Sequence, residues 1–255
     1  MNPVAGRDLA LPQRWAEHPF VRGELGRWGA AWFWHNEAAL LVSTTGRFSP
    51  MPGRDRSLWV IGDPPAGAQL VQEHAEEALA GSAPRTVSLS RGTWDLLPHG
   101  LREAFDTPGV GHWDWMWTEQ MPPPAPREEQ VRALSVTEHG PAISALQDLA
   151  LPGTRFTVER PGSRWFGWFD DGGQLRCVVG ATDFVSTVHM GGIATDPAWQ
   201  GRGLGTAVIT AVTRAGVQTF GQASLGMYAN NDAARRLYQR LGFAVGLEVE
   251  SHHPG

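Results

Sequence analysis

Lysine is absent from this chain: all 21 basic residues are arginine. That excludes a P-loop, whose lysine reaches the phosphates, and any enzyme that forms a Schiff base. Ser-x-x-Lys acyl enzymes are excluded with it. Cysteine is almost as scarce. The lone Cys177 rules out an internal disulfide framework and a cysteine-rich zinc site. No apolar run approaches the ~18 residues of a membrane span. The opening residues 1–15 lack a basic start followed by an apolar stretch, so no signal peptide is expected. Basic residues are outnumbered, 21 against 26 acidic, for a net charge of -5. A general nucleic-acid or anionic-membrane binder would need the opposite balance. Neither G-x-S-x-G nor H-E-x-x-H occurs. What is present is a chain of 255 residues, 42% apolar and 18% charged, enough to bury a core. It reads as a soluble cytoplasmic protein of one large domain or two small ones.

The clearest boundary is Met121-Pro122-Pro123-Pro124-Ala125-Pro126, because consecutive prolines continue neither a helix nor a central strand. Nine of the 12 tryptophans precede it. The chain therefore divides into a Trp-rich α/β domain over 1–126 and a second α/β domain over 127–255. In the second, strands are expected over 131–136, 164–169, 175–185, 187–194, 223–228 and 243–250. Helices are expected over 141–150, 205–219 and 231–241. In the first, strands over 58–62, 86–90 and 112–118 alternate with helices over 68–80 and 94–105. That order repeats the order of residues 187–250, which suggests a diverged internal duplication.

The segment Gln200-Gly201-Arg202-Gly203-Leu204-Gly205-Thr206 follows a strand and opens a helix. Its three alternate glycines let the backbone turn sharply and approach a ligand closely. The helix then aims unpaired N–H groups and its positive end at that space, which is a cradle for a pyrophosphate. The spacing is one residue short of the Rossmann fingerprint, and no acidic residue is placed for a ribose. Further on comes Asn231-Asp232-Ala233-Ala234-Arg235-Arg236-Leu237-Tyr238, closed by Gly242-Phe243.

Together these segments resemble the GNAT superfamily of N-acetyltransferases over residues 127–255. Gln200-x-x-Gly203-x-Gly205 is similar to that family's acetyl-CoA signature, and Ile193 to Pro197 to the strand end before it. Asn231-x-x-Ala234-x-x-Leu237-Tyr238 is similar to its closing helix. The resemblance implies a mixed α/β fold with a splayed central sheet flanked by helices, and direct transfer of acetyl from acetyl-CoA to a bound amine. Residues 1–126 would then be a second α/β domain, a candidate for a degenerate copy of the same fold.

The resemblance also implies roles. Gly201, Arg202, Gly203, Leu204, Gly205 and Thr206, with Gln200, would hold the diphosphate of CoA. Ile193, Ala194 and Thr195 would pair with the pantetheine arm, and Asn231, otherwise a helix N-cap, would contact it too. Paired Gly191-Gly192 in mid-strand suits a bulge or close backbone approach; the alternative is that these glycines make room for a bulky neighbour such as Trp199. Tyr238 stands at the family's general-acid position, and would protonate the leaving thiolate while its ring packs with Ala234 and Leu241. His189 is the candidate base, as its ordinary pKa of ~6.5 leaves it mostly neutral at pH 7; the alternative is a hydrogen-bonded structural histidine. Asp183 and Glu138 are lesser candidates.

Other features are read more plainly. Trp113, Trp115 and Trp117 share a strand face, as interdomain core or as an aromatic wall for the acceptor. Cys177 is expected as a buried strand residue without an activating charge. His252-His253 is expected to fray at the terminus rather than bind metal. Arg235 and Arg236 face adenosine phosphates or solvent. Gly62-Asp63-Pro64-Pro65-Ala66-Gly67 stands where a first-domain cradle would be, but two prolines remove donors, so that domain is expected to bind no CoA. No metal is expected. The partner is an amine, with neither nucleic acid nor membrane and with a homodimer left open; net negative charge favours a cationic amine by steering. Two alternatives stand beside this: a CoA-binding sensor without turnover, and an acyltransferase using a longer acyl-CoA.

Overall fold

The computed structural model describes residues 11–24, 26–46, 56–78, 84–105 and 107–253. The chain forms two compact units. One comprises 1–115, 227–232 and 245–255, and the other 116–226 and 233–244.

The first unit opens with two short helices, α1 (Gln13–Ala16) and α2 (Pro19–Glu24). An antiparallel hairpin of β1 (Trp28–His35) and β2 (Ala39–Gly46) follows. No element was expected there. Asn36 shapes the hairpin loop, its Oδ1 accepting from the amides of Ala38 and Ala39. β3 (Arg56–Gly62) runs antiparallel to β2. Helices α3 (Pro64–Glu73) and α4 (Ala75–Ala78) then lead to β4 (Thr86–Ser90), parallel to β3. The single helix expected over 68–80 is thus two, beginning at Pro64; residues 79 and 80 lie outside the described residues. Asp63 is the N-cap, accepting from the Ala66 amide, and Pro64 and Pro65 fill a first turn that needs no intrahelical N–H. The helix expected over 94–105 is also divided, into a 3-10 turn at Trp94–Leu96 and α5 (His99–Phe105). Pro98 between them cannot donate to a continuous helix. β5 (Gly109–Thr118) follows.

The second unit contains β6 (Arg132–Leu134), α6 (Val136–Ala150), β7 (Ser163–Phe169), β8 (Leu175–Asp183), β9 (Val188–Thr195) and α7 (Leu204–Phe220). β10 (Ala223–Tyr228) and α8 (Asp232–Arg240) follow, and β11 (Ala244–His253) closes the described chain. Helix α6 starts at Val136 rather than Pro141, because Ser135 caps it through the Glu138 amide at 3.4 Å. Pro141 lies inside it, and the strand expected over 131–136 shortens to three residues.

Strand order in the first unit is β1-β2-β3-β4-β11-β5, and in the second β10-β9-β8-β7-β6. Both units repeat one plan. Three antiparallel strands (β1 to β3, β7 to β9) are followed by a helix (α3, α7) and a strand parallel to the third (β4, β10). The duplication suggested by the element order is therefore one of topology. The units do not part at residue 126. The chain enters the second unit at Met116, and β11 belongs mostly to the first. There it pairs antiparallel with β4, Val249 opposite Ser90 and His252 opposite Val87.

This pairing decides two earlier readings. His252 is not frayed: it is 2% exposed, stacks on Trp94 at 3.5 Å between ring centroids, and its Nε2 lies 2.7 Å from Glu250 Oε1. Among the described residues no cluster of three or more potential metal ligands occurs. Trp115 is core of the first unit, and Trp113 is half-buried beside it. Trp115 packs edge-on against Phe20 at 5.3 Å, and Trp113 against Trp59 at 6.2 Å. Trp113 Nε1 donates to Ser251 Oγ on β11 at 2.8 Å. Trp117 is half-buried. No described helix is long and apolar enough to cross a membrane.

Val249 is fully buried. Val249→Asp should cost several kcal/mol, about 3 or more, by burying an unpaired carboxylate. Hydrogen exchange should record it first as lost protection along β4, Thr86–Ser90.

Candidate functional site

Strand β9 carries one residue more than its neighbour can match. Against β8 the register runs Val178 to Ala194 and then Gly180 to Gly191, so a bulge occupies the step. Gly192 sits in it at φ +59°, in the left-handed region that glycine accepts. The bulge is clamped from above. Gln147 of α6, 3% exposed, donates through Nε2 to the Phe156 carbonyl at 2.9 Å and to the Gly192 carbonyl at 3.2 Å. A Cβ on Gly191 would run into the Phe156 ring. Both readings of the glycine pair thus hold, except that the bulky neighbour is Phe156 and not Trp199. On the other side, the parallel pairing of β9 with β10 covers only Val188–Met190 against Ala223–Leu225. Ile193, Ala194 and Thr195 lie beyond it.

Asp196 then turns the chain. Its carboxylate accepts from the Ala198 amide and binds Arg176 Nη1 at 2.6 Å. Gln200 follows, with Nε2 3.4 Å from the Thr195 carbonyl. Gly201 and Gly203 hold φ of +75° and +80°, and nothing lies within 4 Å of where a Cβ would stand on either. Their need is conformational, not spatial. Gly205 differs: its φ is ordinary for a helix, and a Cβ there would sit 3.7 Å from Thr195 Oγ1 and Leu237 Cδ2. Gly203 is the N-cap of α7, with no side-chain cap and no acidic residue in the first turn. The amides of Leu204, Gly205 and Thr206 are therefore at the positive end of a 17-residue helix that no carboxylate offsets. Arg202 is exposed.

Tyr238 is brought to the same place. It is 5% exposed, on α8, with its ring 6.1 Å from that of Phe243. Burial pushes its hydroxyl well above the usual phenol value, and the neighbouring Cys177 adds to the rise. No hydrogen bond engages the hydroxyl among the described residues. Cys177 is buried in β8 opposite Thr195, its Sγ 3.1 Å from Thr195 Oγ1. Burial raises its thiol to about 11. So the end of β9, the first turn of α7, Tyr238 and Cys177 form one cluster. Cys177 is the buried strand residue expected of it; its membership of the cluster depends on the β8–β9 register, which no motif marks. Gln147 and Phe156 were missed for the same reason.

The remaining candidates are placed apart or differently. His189 is 8% exposed in the paired part of β9, its Nδ1 3.1 Å from Ser224 Oγ, within a buried group that includes Thr187. Asp183 is taken by an ion pair with Arg164. Glu138 is exposed in the first turn of α6. Asn231 immediately precedes α8, its amide bonded to the Tyr228 carbonyl at 3.0 Å. Arg235 is half-buried and Arg236 exposed.

Residues 115–243 match the family model of the acetyltransferase (GNAT) family. Solved structures agree in fold. A putative GNAT acetyltransferase from Novosphingobium aromaticivorans is 21% identical with a TM-score of 0.54, over 80% of this chain and 89% of that one. A GCN5-related N-acetyltransferase from Kribbella flavida is 17% identical at 0.53, over 92% and 93%. A Drosophila protein is 16% identical at 0.59, over 84% and 74%. No curated protein matches the chain.

Gly203→Ala should cost about 1–2 kcal/mol in urea denaturation, the penalty of a Cβ in the left-handed region. Gly205→Ala should be neutral or stabilising by less than about 1 kcal/mol. The Cys177 proton is held from its ordinary 9.0 up to about 11 in the folded protein. Its contribution is therefore complete below pH 9 and declines between pH 9 and 11, where only the unfolded chain has released the proton. Denaturation at pH 8 and pH 10 should show a loss of about 1 kcal/mol that shrinks in Cys177→Ser.

Proposed function

The chain belongs to the GNAT family of acetyltransferases, and from that premise we propose that it transfers acetyl from acetyl-CoA to a primary amine within a ternary complex. The observation that carries the reading is the uncapped first turn of α7, entered through left-handed Gly201 and Gly203, beside the end of β9 that β10 does not pair. Backbone amides at residues 203–206 suit a diphosphate without any lysine. Ile193, Ala194 and Thr195 offer a strand edge to the pantetheine arm, with Gln200 beside it. An amide near Ile193 would polarise the thioester carbonyl.

In the reaction the amine nitrogen forms a bond to the acetyl carbon, and the carbon–sulfur bond breaks. Sulfur leaves as a thiolate, and the nitrogen carries a surplus proton. Tyr238 meets the first need. A phenol kept protonated by burial is a hydrogen-bond donor throughout the neutral range, and its unengaged hydroxyl can pass a proton to sulfur. His189 stands outside the cluster around Tyr238, bonded to Ser224, so it is proposed to receive the nitrogen's proton through water. The products are an amide and CoA, and one proton crosses the site from nitrogen to sulfur.

Tyr238→Phe should lower kcat by about tenfold or more with acetyl-CoA affinity unchanged. Gly203→Glu should abolish donor binding in calorimetry, since a carboxylate would enter the anion cradle. Thiol release measured over a panel of amines separates turnover from sensing. Donor binding without release would favour a sensor, and retained affinity in Gly203→Glu would displace the cradle.

A further inference from the structure

We propose that Phe156 sets the length of the acyl group this protein accepts, its ring occupying the space that a chain longer than acetyl would need. The inference rests on the donor reading above and adds to it which thioester is used. Gly180 of β8 and Gly191 of β9 stand directly opposite each other in the register. Neither holds a positive φ, so the backbone conformation does not demand glycine at either position. What the pair supplies is space. A Cβ on either residue would overlap the Phe156 ring, and two facing residues without side chains leave a recess in the sheet. The ring fills that recess. It lies edge-on to buried Trp165, with 5.8 Å between ring centroids, and the Arg160 guanidinium sits 4.8 Å from its centre.

Phe156 belongs to the irregular stretch between α6 and β7, yet its backbone is held. Its carbonyl accepts from Gln147 Nε2 at 2.9 Å, and its amide donates to Thr154 Oγ1 at 3.2 Å. The same Gln147 nitrogen donates to the Gly192 carbonyl at 3.2 Å. One buried side chain thus ties the ring to the bulge, next to the amide assigned above to the thioester carbonyl. The other face of β9 has no room. Val188 packs against Gly216 of α7, and Met190, on the same face by alternation, is fully buried. An acyl chain extended from a thioester at Ile193 therefore meets close-packed core on one side and the half-buried Phe156 ring on the other. Phe156 and Trp165 make that boundary apolar, which suits the end of an alkyl chain rather than a charged group.

Calorimetry on the full chain with CoA, acetyl-CoA and hexanoyl-CoA, without an amine, tests this. Wild type should bind hexanoyl-CoA about tenfold more weakly than acetyl-CoA, the result of overpacking a filled space. In Phe156→Ala the order should reverse. An apolar cavity opened by truncation takes up apolar ligands of its size, and each methylene buried there should raise affinity by up to about fourfold. Phe156→Leu should fall between the two in a protein that melts close to wild type. CoA is the reference within each protein, so any loss common to the three ligands cancels. Equal wild-type affinity for acetyl-CoA and hexanoyl-CoA would overturn the inference while leaving the donor reading standing. A folded Phe156→Leu or Phe156→Ala that discriminates as wild type does would also overturn it. His189 shares this face of β9 by alternation with Gly191, so that result with altered rates over the amine panel would assign the ring to the amine instead. Wild type that binds none of the three ligands would remove the donor reading itself.

Discussion

An extra residue in a strand cannot be hidden; it must bend the backbone or break a pairing. In β9 it does both. The bulge at Gly192 turns the strand after its third pairing with β10, and the separation is held by a buried amide side chain rather than by solvent. Gln147 matters because a bulge frees a carbonyl that must find a donor. With that carbonyl satisfied, the distal part of β9 can stay off its parallel neighbour. Everything proposed for the acyl arm uses the edge so created, and the loop and helix that follow inherit their position from it.

The two units make an internal comparison of what a helix start can do. In the second, α7 begins behind a left-handed glycine with no side-chain cap. In the first, the equivalent α3 begins behind Asp63, whose carboxylate occupies the Ala66 amide, and two prolines withhold two more donors. One end presents amides to an anion; the other has consumed or deleted them. The shared topology therefore carries opposite local chemistry, decided by about four residues at each turn.

Features encoded within a few consecutive residues were legible beforehand. The glycine turn before α7, the helix ending at Gly242, and the glycine pair in β9 each need a backbone conformation that composition reveals. Features that depend on register or on distant partners were not. Cys177 joins the cluster only because β8 places it opposite Thr195. Phe156 fills the space over Gly180 and Gly191 from a stretch without regular structure. His252 looked like a loose end because nothing local tells that β4 waits for it. The hairpin Trp28–Gly46 carries little local signal because its strands lack a strong polar alternation, and its loop is organised by the single side chain of Asn36.

The destination of β11 bears on how the protein comes to exist. During synthesis the first unit emerges early, with β1 to β5 available, yet the strand that lies between β4 and β5 is encoded after the whole of the second unit. Until then its unpaired edge is exposed to wrong partners. Completion of the first unit awaits a contact of very long sequence separation, a slow kind of closure. Ribosome-bound intermediates should therefore hold a finished glycine loop before they hold a finished amino-terminal sheet.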